Sequence, residues 1–214
     1  MKSPYSEDRL IEQPSMEILQ DLGWDSSNVY RGETFGKDGT LGRDSIAQVI
    51  LKYRFFEAIK KLNPGLPEKA YQEAYDLLKQ PVATKSLVEI NHEKYQFMRD
   101  GIPVTYKNEK GEIIRNKKIK VFDYENVDNN EFLAVQQMWI EGSAKRKKRP
   151  DVIGFVNGIP LVFIELKTTS RKIQVAYEHN LRDYRVTIPH LFYHNGFVIL
   201  SNGIESKIGV ATSD

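Results

Sequence analysis

The fold is decided by residues 149–167, which read RPDVIGFVNGIPLVFIELK. Two apolar runs meet at Asn157-Gly158, a dipeptide that strongly favours a β-hairpin turn. The pattern therefore predicts two adjacent antiparallel strands over residues 152–156 and 160–167. A strand pair this apolar belongs in the interior of a sheet, yet it carries three charged residues near its open end: Asp151, Glu165 and Lys167.

The turn decides whether these three charged side chains lie together. A two-residue turn places Asp151 opposite Ile164, which puts the two acids on opposite faces of the sheet. A three-residue loop that begins at Val156 and includes a bulge places Asp151 opposite Phe163, with all three charged side chains on one face. The sequence is compatible with both turns, and only the bulged form creates a site.

On one face, the charged groups would form a metal-dependent hydrolytic site. Neighbouring buried carboxylates repel each other, and a divalent cation relieves that repulsion better than a single lysine. The carboxylates of Asp151 and Glu165 and the carbonyl of Leu166 are oxygen ligands of the kind that suits Mg²⁺. Lys167 could then orient or help to deprotonate an attacking water. The structural alternative is that Asp151 caps a strand and Glu165 pairs with Lys167 at the end of the sheet.

The composition is that of a globular protein. The chain has 214 residues, 40% of them hydrophobic and 28% charged, which favours a packed core over disorder. No apolar run approaches the roughly 18 residues of a membrane span, and the first residues lack the apolar centre of a signal peptide. The absence of cysteine excludes disulfides and thiolate metal sites. We therefore expect a cytoplasmic protein with no membrane partner.

Basic residues are concentrated immediately before Pro150. Five consecutive cations occupy this stretch: Lys145, Arg146, Lys147, Lys148 and Arg149. The net charge is only +2, so the position of the cations says more than their total. One interpretation is attraction to phosphate groups. The other is an ordinary solvated loop.

The order of the predicted elements indicates an α/β fold. An N-terminal helical segment, kinked or divided at Pro14, precedes a loop-rich stretch and a long amphipathic helix over residues 43–62. A second helix follows over residues 68–79. Strand-like segments come next, then a helix over residues 172–184 and a final strand region. This order predicts a single domain over residues 1–214, built on a central mixed β-sheet flanked by α-helices.

The sequence also resembles a known nuclease family. Pro150-Asp151 followed by Glu165-Leu166-Lys167 resembles the PD-(D/E)xK motif. In chain order, SEDRLIEQPSMEILQDLGW, FEAIKKLNP, RPDVIGFVNGIPLVFIELK and LFYHNGFVILSNGIESKIG look like the N-terminal nuclease domain of the type I restriction endonuclease R (HsdR) subunit. The resemblance covers nearly the whole chain. It implies a restriction-endonuclease-like fold and metal-dependent cleavage of double-stranded DNA in a restriction-modification system.

The same resemblance implies partners for the chain. In this family the nuclease precedes helicase-like motor domains that hydrolyse ATP, and it works with methylation (M) and specificity (S) subunits. No G-x-x-x-x-G-K-[ST] sequence occurs in the 214 residues. We therefore expect a fragment of a longer chain, with ATP used only by motor domains outside these residues.

The resemblance further implies supporting residues around the site. Many relatives carry Q-x-x-x-Y after the Glu-x-Lys motif, and the matching residues here are Asn180 and Tyr184. Because Asn replaces Gln, that side chain is one methylene shorter than the family pattern has. The family also uses an acid of its first helix as an added metal ligand, which here is Glu7 or Glu12, with Glu12 favoured. With the nuclease resemblance, the basic run of residues 145–149 is expected to contact the DNA backbone, because the run adjoins the candidate metal site.

Two other functions stay open on the sequence alone. The first is a stand-alone repair or recombination nuclease of the same fold, which would share the site but not the partners. The second is a catalytically inactive module for DNA binding or docking, a possibility that Asn180 supports slightly.

Overall fold

The computed structural model of the protein describes residues 11–80, 84–169 and 180–212. The helices in these residues are α1 (Gln13–Asp21), α2 (Lys52–Leu62), α3 (Glu68–Lys79), α4 (Leu87–Asp100) and α5 (Arg182–Thr187). The strands are β1 (Asp25–Asn28), β2 (Ile102–Lys107), β3 (Ile113–Ile119), β4 (Phe132–Gln136), β5 (Ile140–Glu141), β6 (Lys147–Lys148), β7 (Val152–Val156), β8 (Ile159–Leu166), β9 (Phe197–Ser201) and β10 (Ser206–Gly209). Short 3-10 helices cover Val127–Asn129, Ser143–Lys145 and Pro189–Phe192.

Six of the described strands form one mixed sheet in the order β1-β4-β7-β8-β9-β10. The β1–β4 and β8–β9 pairs are parallel, and the other neighbouring pairs are antiparallel. This arrangement places the end of β4, the start of β7 and the ends of β8 and β9 at one edge of the sheet. The prediction of a central mixed sheet flanked by helices is confirmed.

Apolar cores form on both faces of this sheet. One face packs against α2 and α3 and includes Ile153, Phe155 and Phe163. The other face includes Val152 and Ile164 and packs around the α1 region through Met16, among others. Alternation along β7 and β8 explains this division, since successive side chains of a strand point to opposite faces. Burial on both faces accounts for the almost uninterrupted apolar sequence of these two strands.

The β7–β8 connection is a two-residue turn, so the predicted three-residue loop is wrong. Val156 pairs directly with Ile159. Asn157 and Gly158 have φ values of 50° and 75°, as a type I′ turn requires. The fully buried side chain of Asn157 also donates to the carbonyl of Val121 at 2.8 Å. These contacts stabilise the tight turn without an additional loop residue.

A β-bulge nevertheless occurs in this hairpin, within β8. The pairs on its two sides are Phe155 with Pro160 and Gly154 with Val162. Leu161 is therefore an extra residue in β8. Its displaced carbonyl accepts a hydrogen bond from the N–H of Gly196 at 2.8 Å, so the bulge leaves that acceptor satisfied.

Beyond the bulge, the register brings the two acids to one face. Val152 pairs with Ile164, and continuing this register by one residue sets Asp151 opposite Glu165. The bulged alternative was therefore right about the shared face and wrong about the residue opposite Asp151, which is not Phe163. The difference arises because the extra residue lies inside β8, whereas the Asn-Gly dipeptide forms its preferred two-residue turn.

The long helix predicted from Arg43 begins only at Lys52. The guanidinium group of Arg43 is fully buried and donates to the carbonyl of Gln48 at 2.7 Å. The N–H of Leu51 donates to the carbonyl of Gly158 at 2.8 Å, which anchors the start of α2 on the hairpin turn. These contacts use backbone groups that a continuous helix would need for its own hydrogen bonds.

The other predicted helices agree with the observed ones to different extents. α3 has the predicted bounds, and α1 contains Pro14 in its first turn, where a missing N–H breaks no helical hydrogen bond. Residues 1–10 lie outside the described residues, and so does most of the predicted helix over residues 172–184. Among the residues that the structure describes, no helix is long and apolar enough to cross a membrane.

Candidate active site

The sheet edge described above carries the three predicted catalytic residues. Asp151 directly precedes β7, Glu165 is the next-to-last residue of β8, and Lys167 directly follows β8. The N–H of Lys167 donates to the carbonyl of Ser201 at the end of β9, at 2.8 Å. The position of each group is therefore fixed by strand pairing rather than by a free loop.

Asp151 is oriented through both of its carboxylate oxygens. Oδ2 accepts a hydrogen bond from the backbone N–H of Leu166 at 2.8 Å. Oδ1 accepts one from Nε2 of Gln137 at 3.3 Å. A carboxylate has about four acceptor positions, so these two contacts alone do not saturate it.

Glu165 is almost completely buried, with 1% of its surface exposed. Its Oε1 accepts from Nζ of Lys167 at 2.6 Å and from the side-chain amide of Asn180. Its Oε2 is buried and has no hydrogen-bond partner among the described residues. Burial and, next, the charge of Asp151 raise the pKa of Glu165 to about 7, while Lys167 and Asn180 act in the opposite direction. This carboxylate therefore lacks a counter-charge sufficient for its burial.

Lys167 contacts two of the three predicted metal ligands, Glu165 and the carbonyl of Leu166. Besides its bond to Glu165, its Nζ donates to the carbonyl of Leu166 at 3.0 Å. The side chain is largely buried, so its charge acts in a region with little water. The Leu166 carbonyl has a second lone pair, which keeps its predicted role as a metal ligand chemically feasible.

The residues fit a divalent cation. A buried carboxylate oxygen without a partner, a second carboxylate and a carbonyl are oxygen ligands of the type that Mg²⁺ prefers. Within residues 11–80, 84–169 and 180–212, no group of three or more His, Asp or Glu side chains is arranged to hold a metal by itself. The predicted set relies instead on two carboxylates, one carbonyl and the waters that Mg²⁺ commonly retains.

Glu12 lies next to this set, while Glu7 is outside the described residues. Glu12 directly precedes α1 and is 6% exposed. Its Oε2 accepts a hydrogen bond from Nε2 of Gln137 at 3.0 Å, and the same nitrogen contacts Asp151. Glu12 is therefore linked to Asp151 through an intervening amide, and its role as a metal ligand stays a prediction.

Asn180 and Tyr184 lie beside the acids. The Asn180 amide reaches Glu165 although its side chain is one methylene shorter than the Gln of the family pattern. The Tyr184 hydroxyl donates to the carbonyl of Arg149 at 3.3 Å, and its ring packs edge-on against Phe163, with centroids 5.4 Å apart. Burial, with the nearby Glu165 charge, raises the pKa of Tyr184, so the hydroxyl is a neutral hydrogen-bond donor.

The five-residue basic run divides into two groups. Lys145, Arg146 and Lys147 are exposed. In contrast, Lys148 forms an ion pair with Asp183, and the guanidinium of Arg149 lies 5.0 Å from the ring centroid of Trp139. Arg149 also lies over the ring of Tyr30, at 4.9 Å. Within the first group, Lys147 also lies 3.8 Å from Glu141, in an exposed ion pair. The DNA contact of these three exposed residues stays a prediction.

One residue at the site was missed by the sequence reasoning. Gln137 is 7% exposed, follows β4 directly and contacts two acids. The available signal was the pair Gln136-Gln137 after the apolar run of β4, because polar side chains at the end of a buried strand often face a site. That signal does not tell which of the two glutamines turns toward the acids.

Comparison with known proteins identifies the family of the chain. The family model described as "Type I restriction enzyme R protein N terminus" matches residues 4–214. The chain belongs to this family. The type I R-protein N-terminal chain is similar to the "Type I restriction enzyme HindI endonuclease subunit" of Haemophilus influenzae, with 36% identity over 95% of the chain and 19% of the relative.

More distant relatives have similar names. The "Putative type I restriction enzyme MjaIXP endonuclease subunit" of Methanocaldococcus jannaschii is 29% identical over 98% of the chain and 20% of the relative. The "Type I restriction enzyme SauCOLORF180P endonuclease subunit" of Staphylococcus aureus is 25% identical over 95% of the chain and 19% of the relative. The type I R-protein N-terminal chain thus spans about a fifth of the length of these relatives.

Proposed function

We propose that the chain is the nuclease domain of a type I restriction enzyme R subunit and that it cleaves double-stranded DNA by metal-dependent hydrolysis. The observation that carries the proposal is the grouping of Asp151, Glu165 and Lys167 at one edge of the sheet, with Oε2 of Glu165 buried and unpartnered. Relatives named as endonuclease subunits support the same reaction class.

In this proposal, Asp151, Glu165 and the Leu166 carbonyl hold Mg²⁺. The bound ion supplies charge neutralisation at the phosphate and lowers the pKa of water. Lys167 has its ammonium group 2.6 Å from Glu165, where it orients the attacking water and stabilises charge that develops on the phosphate. The oxygen of water bonds to phosphorus and the water gives up one proton, while one backbone P–O bond breaks and the departing oxygen takes up one proton.

The neighbouring residues support this arrangement. Asn180 holds Glu165 in place through its amide, and Tyr184 fixes the chain that leads into Asp151 through the carbonyl of Arg149. Lys145, Arg146 and Lys147 supply exposed positive charge a few residues before Asp151 in the sequence, suited to non-specific contact with the DNA backbone. Sequence recognition would then belong to another subunit.

The proposal extends to the partners expected from the family. Methylation and specificity subunits would bring DNA to the nuclease, and ATP would be hydrolysed only by motor domains of the longer chain. The printed names of the relatives describe subunits of type I restriction enzymes, which supports a multi-subunit assembly. DNA as the substrate implies a cytoplasmic location.

The other two functions receive less support. The contact between Asn180 and Glu165 argues against the inactive module, because the departure from the family pattern does not disconnect that side chain from the acid. Similarity across most of the chain to endonuclease subunits of type I restriction enzymes argues against a stand-alone repair nuclease.

Cleavage of supercoiled plasmid by the 214-residue chain tests the proposal. We expect Mg²⁺-dependent nicking or linearisation that EDTA abolishes and that Asp151→Ala and Glu165→Ala lose. Glu109→Ala, which removes an exposed acid of the β2–β3 hairpin, is the matched control and should cleave at the wild-type rate. Calorimetric titration with Mn²⁺ provides a second measurement that does not depend on turnover. Wild-type activity in both site variants, or no cation binding by the wild type, would refute the proposal.

A further inference from the structure

Gln137 lies between two carboxylates at the edge of the sheet. Its Nε2 donates to Oε2 of Glu12 at 3.0 Å and to Oδ1 of Asp151 at 3.3 Å. Its backbone N–H donates to the carbonyl of Asp151 at 3.0 Å. The side chain is 7% exposed, so these contacts form with little competition from water. One residue therefore joins the start of α1 to the start of β7.

The chemistry of an amide suits this position. The NH₂ group has two hydrogens and can donate one to each carboxylate, which holds two acids side by side while leaving lone pairs on each. A lysine or arginine would hold the same acids more strongly, but its charge would oppose a divalent cation at the site. A neutral donor orders the acids without this competition.

The backbone at Gln137 is also unusual. Its φ is 59°, in the left-handed region that residues other than glycine and asparagine seldom adopt. Such conformations persist where surrounding contacts impose them, and they concentrate at functional sites. Here the left-handed residue ends β4 and turns the side chain toward Glu12 and Asp151.

We infer that Gln137 is a positioning residue that sets Asp151, and Glu12 beside it, for binding of the divalent cation. This inference rests on the proposed metal-dependent nuclease function. It concerns orientation of the acids by Gln137, which itself takes no part in the reaction. It also gives Glu12 a place in the site that does not require Glu12 to contact the metal directly.

Two substitutions separate the effect of the Gln137 side-chain amide from the effect of its left-handed backbone. Gln137→Gly removes the amide and suits the positive φ, so the fold is not penalised by the conformation. Gln137→Asn keeps an amide and also tolerates positive φ, but its side chain is one methylene shorter and cannot make both contacts from the same backbone. Gln136→Ala is the matched control, because the Gln136 side chain contacts Asn28 and not the acids.

The measurements are Mn²⁺ affinity by calorimetry, the Mg²⁺ dependence of plasmid cleavage, and the melting temperature without metal. We expect Gln137→Gly and Gln137→Asn to weaken Mn²⁺ binding by roughly 10- to 100-fold and to raise the half-saturating Mg²⁺ concentration similarly, as for other residues that orient metal ligands. Excess Mg²⁺ should restore most of the cleavage rate, and the melting temperature should stay close to that of the wild type. Gln136→Ala should leave metal affinity unchanged.

Unchanged Mn²⁺ affinity in both Gln137 variants, beside a wild type that binds and cleaves, would overturn the inference alone. So would a reduced maximal rate with unchanged metal dependence, or a loss explained by a lower melting temperature. A wild type that neither binds Mn²⁺ nor cleaves would overturn the proposed function, and the inference with it.

Discussion

The backbone N–H of Leu166 donates to Oδ2 of Asp151 at 2.8 Å, across the β7–β8 pair. One of the two acids is thus oriented by the main chain of the strand that carries the other. The contact also means that Asp151 has a structural role in addition to the proposed chemical one. Substitutions that preserve an acceptor at this position can distinguish the two roles.

Asp151→Asn should keep the fold and lose the affinity for a divalent cation. The Asn oxygen can still accept from Leu166, whereas the charge that attracts a cation is gone. Asp151→Ala loses the hydrogen bond as well, and we expect it to be less stable than the Asn variant by about 1–3 kcal/mol. Urea unfolding and Mn²⁺ calorimetry measure the two effects separately. Wild-type Mn²⁺ affinity in Asp151→Asn would limit this residue to capping its strand.

The fold class and the three charged residues of the candidate site, Asp151, Glu165 and Lys167, could be predicted because they depend on local sequence. An Asn-Gly dipeptide between apolar runs specifies a hairpin, and the motif residues mark its open end. The position of the bulge could not be predicted, because Leu161 is accommodated through a hydrogen bond to Gly196, about thirty-five residues later in the chain. Local turn preference contains no information on that contact.

Two further differences have the same origin. The start of α2 is set by buried Arg43, which donates to the carbonyl of Trp139, and by the contact of Leu51 with the hairpin turn. Both are tertiary interactions that outweigh a helical pattern. Gln137 was missed because its role arises from a left-handed backbone and from neighbours on two other segments. Helical or strand periodicity cannot report either property.

Asn180 should contribute to cation binding through Glu165. Asn180→Ala removes an amide that donates to the buried carboxylate, and Asn180→Asp replaces it with a third acid beside two others. We expect Asn180→Ala to lower the cleavage rate by roughly 10- to 100-fold. Asn180→Asp should change Mn²⁺ affinity differently, because it adds charge at the same size. Equal cleavage by wild type and both variants would show that this contact is unimportant for the reaction.

His194 should make stability depend on pH. Its Nε2 contacts the carbonyl of Leu78 at 2.9 Å, its Nδ1 is buried without a partner among the described residues, and burial lowers its pKa to about 4. The nearby charges of Lys94 and His190 act in the same direction. Between the ordinary pKa of about 6.5 and the folded value, the unfolded chain binds a proton that the folded chain does not. Stability is therefore lost as the pH falls through this window.

The test compares urea unfolding of wild type and His194→Gln at several pH values. The difference between the two proteins should change by up to about 1.4 kcal/mol per pH unit between pH 6.5 and pH 4, with the wild type losing more at low pH. His92→Gln, on the exposed surface of α4, is the control and should follow the wild type. If the His194→Gln and wild-type curves stay parallel, burial of this imidazole does not influence acid stability.

The exposed residues of the basic run, rather than the paired Lys148, should supply the contribution of this run to DNA affinity. Lys145, Arg146 and Lys147 are exposed, whereas Lys148 is paired with Asp183 and belongs to the structure around α5. Alanine at the first three positions should weaken binding to all duplex sequences alike. The slope of log affinity against log salt should fall by about 0.9 for each phosphate contact that is lost.

A triple variant at Lys107, Lys110 and Arg115, exposed on the β2–β3 hairpin, removes the same charge far from the motif in sequence and should leave the slope nearly unchanged. Equal losses in the two triple variants would indicate a general charge effect, and no loss in either would indicate that the basic run is simply solvated.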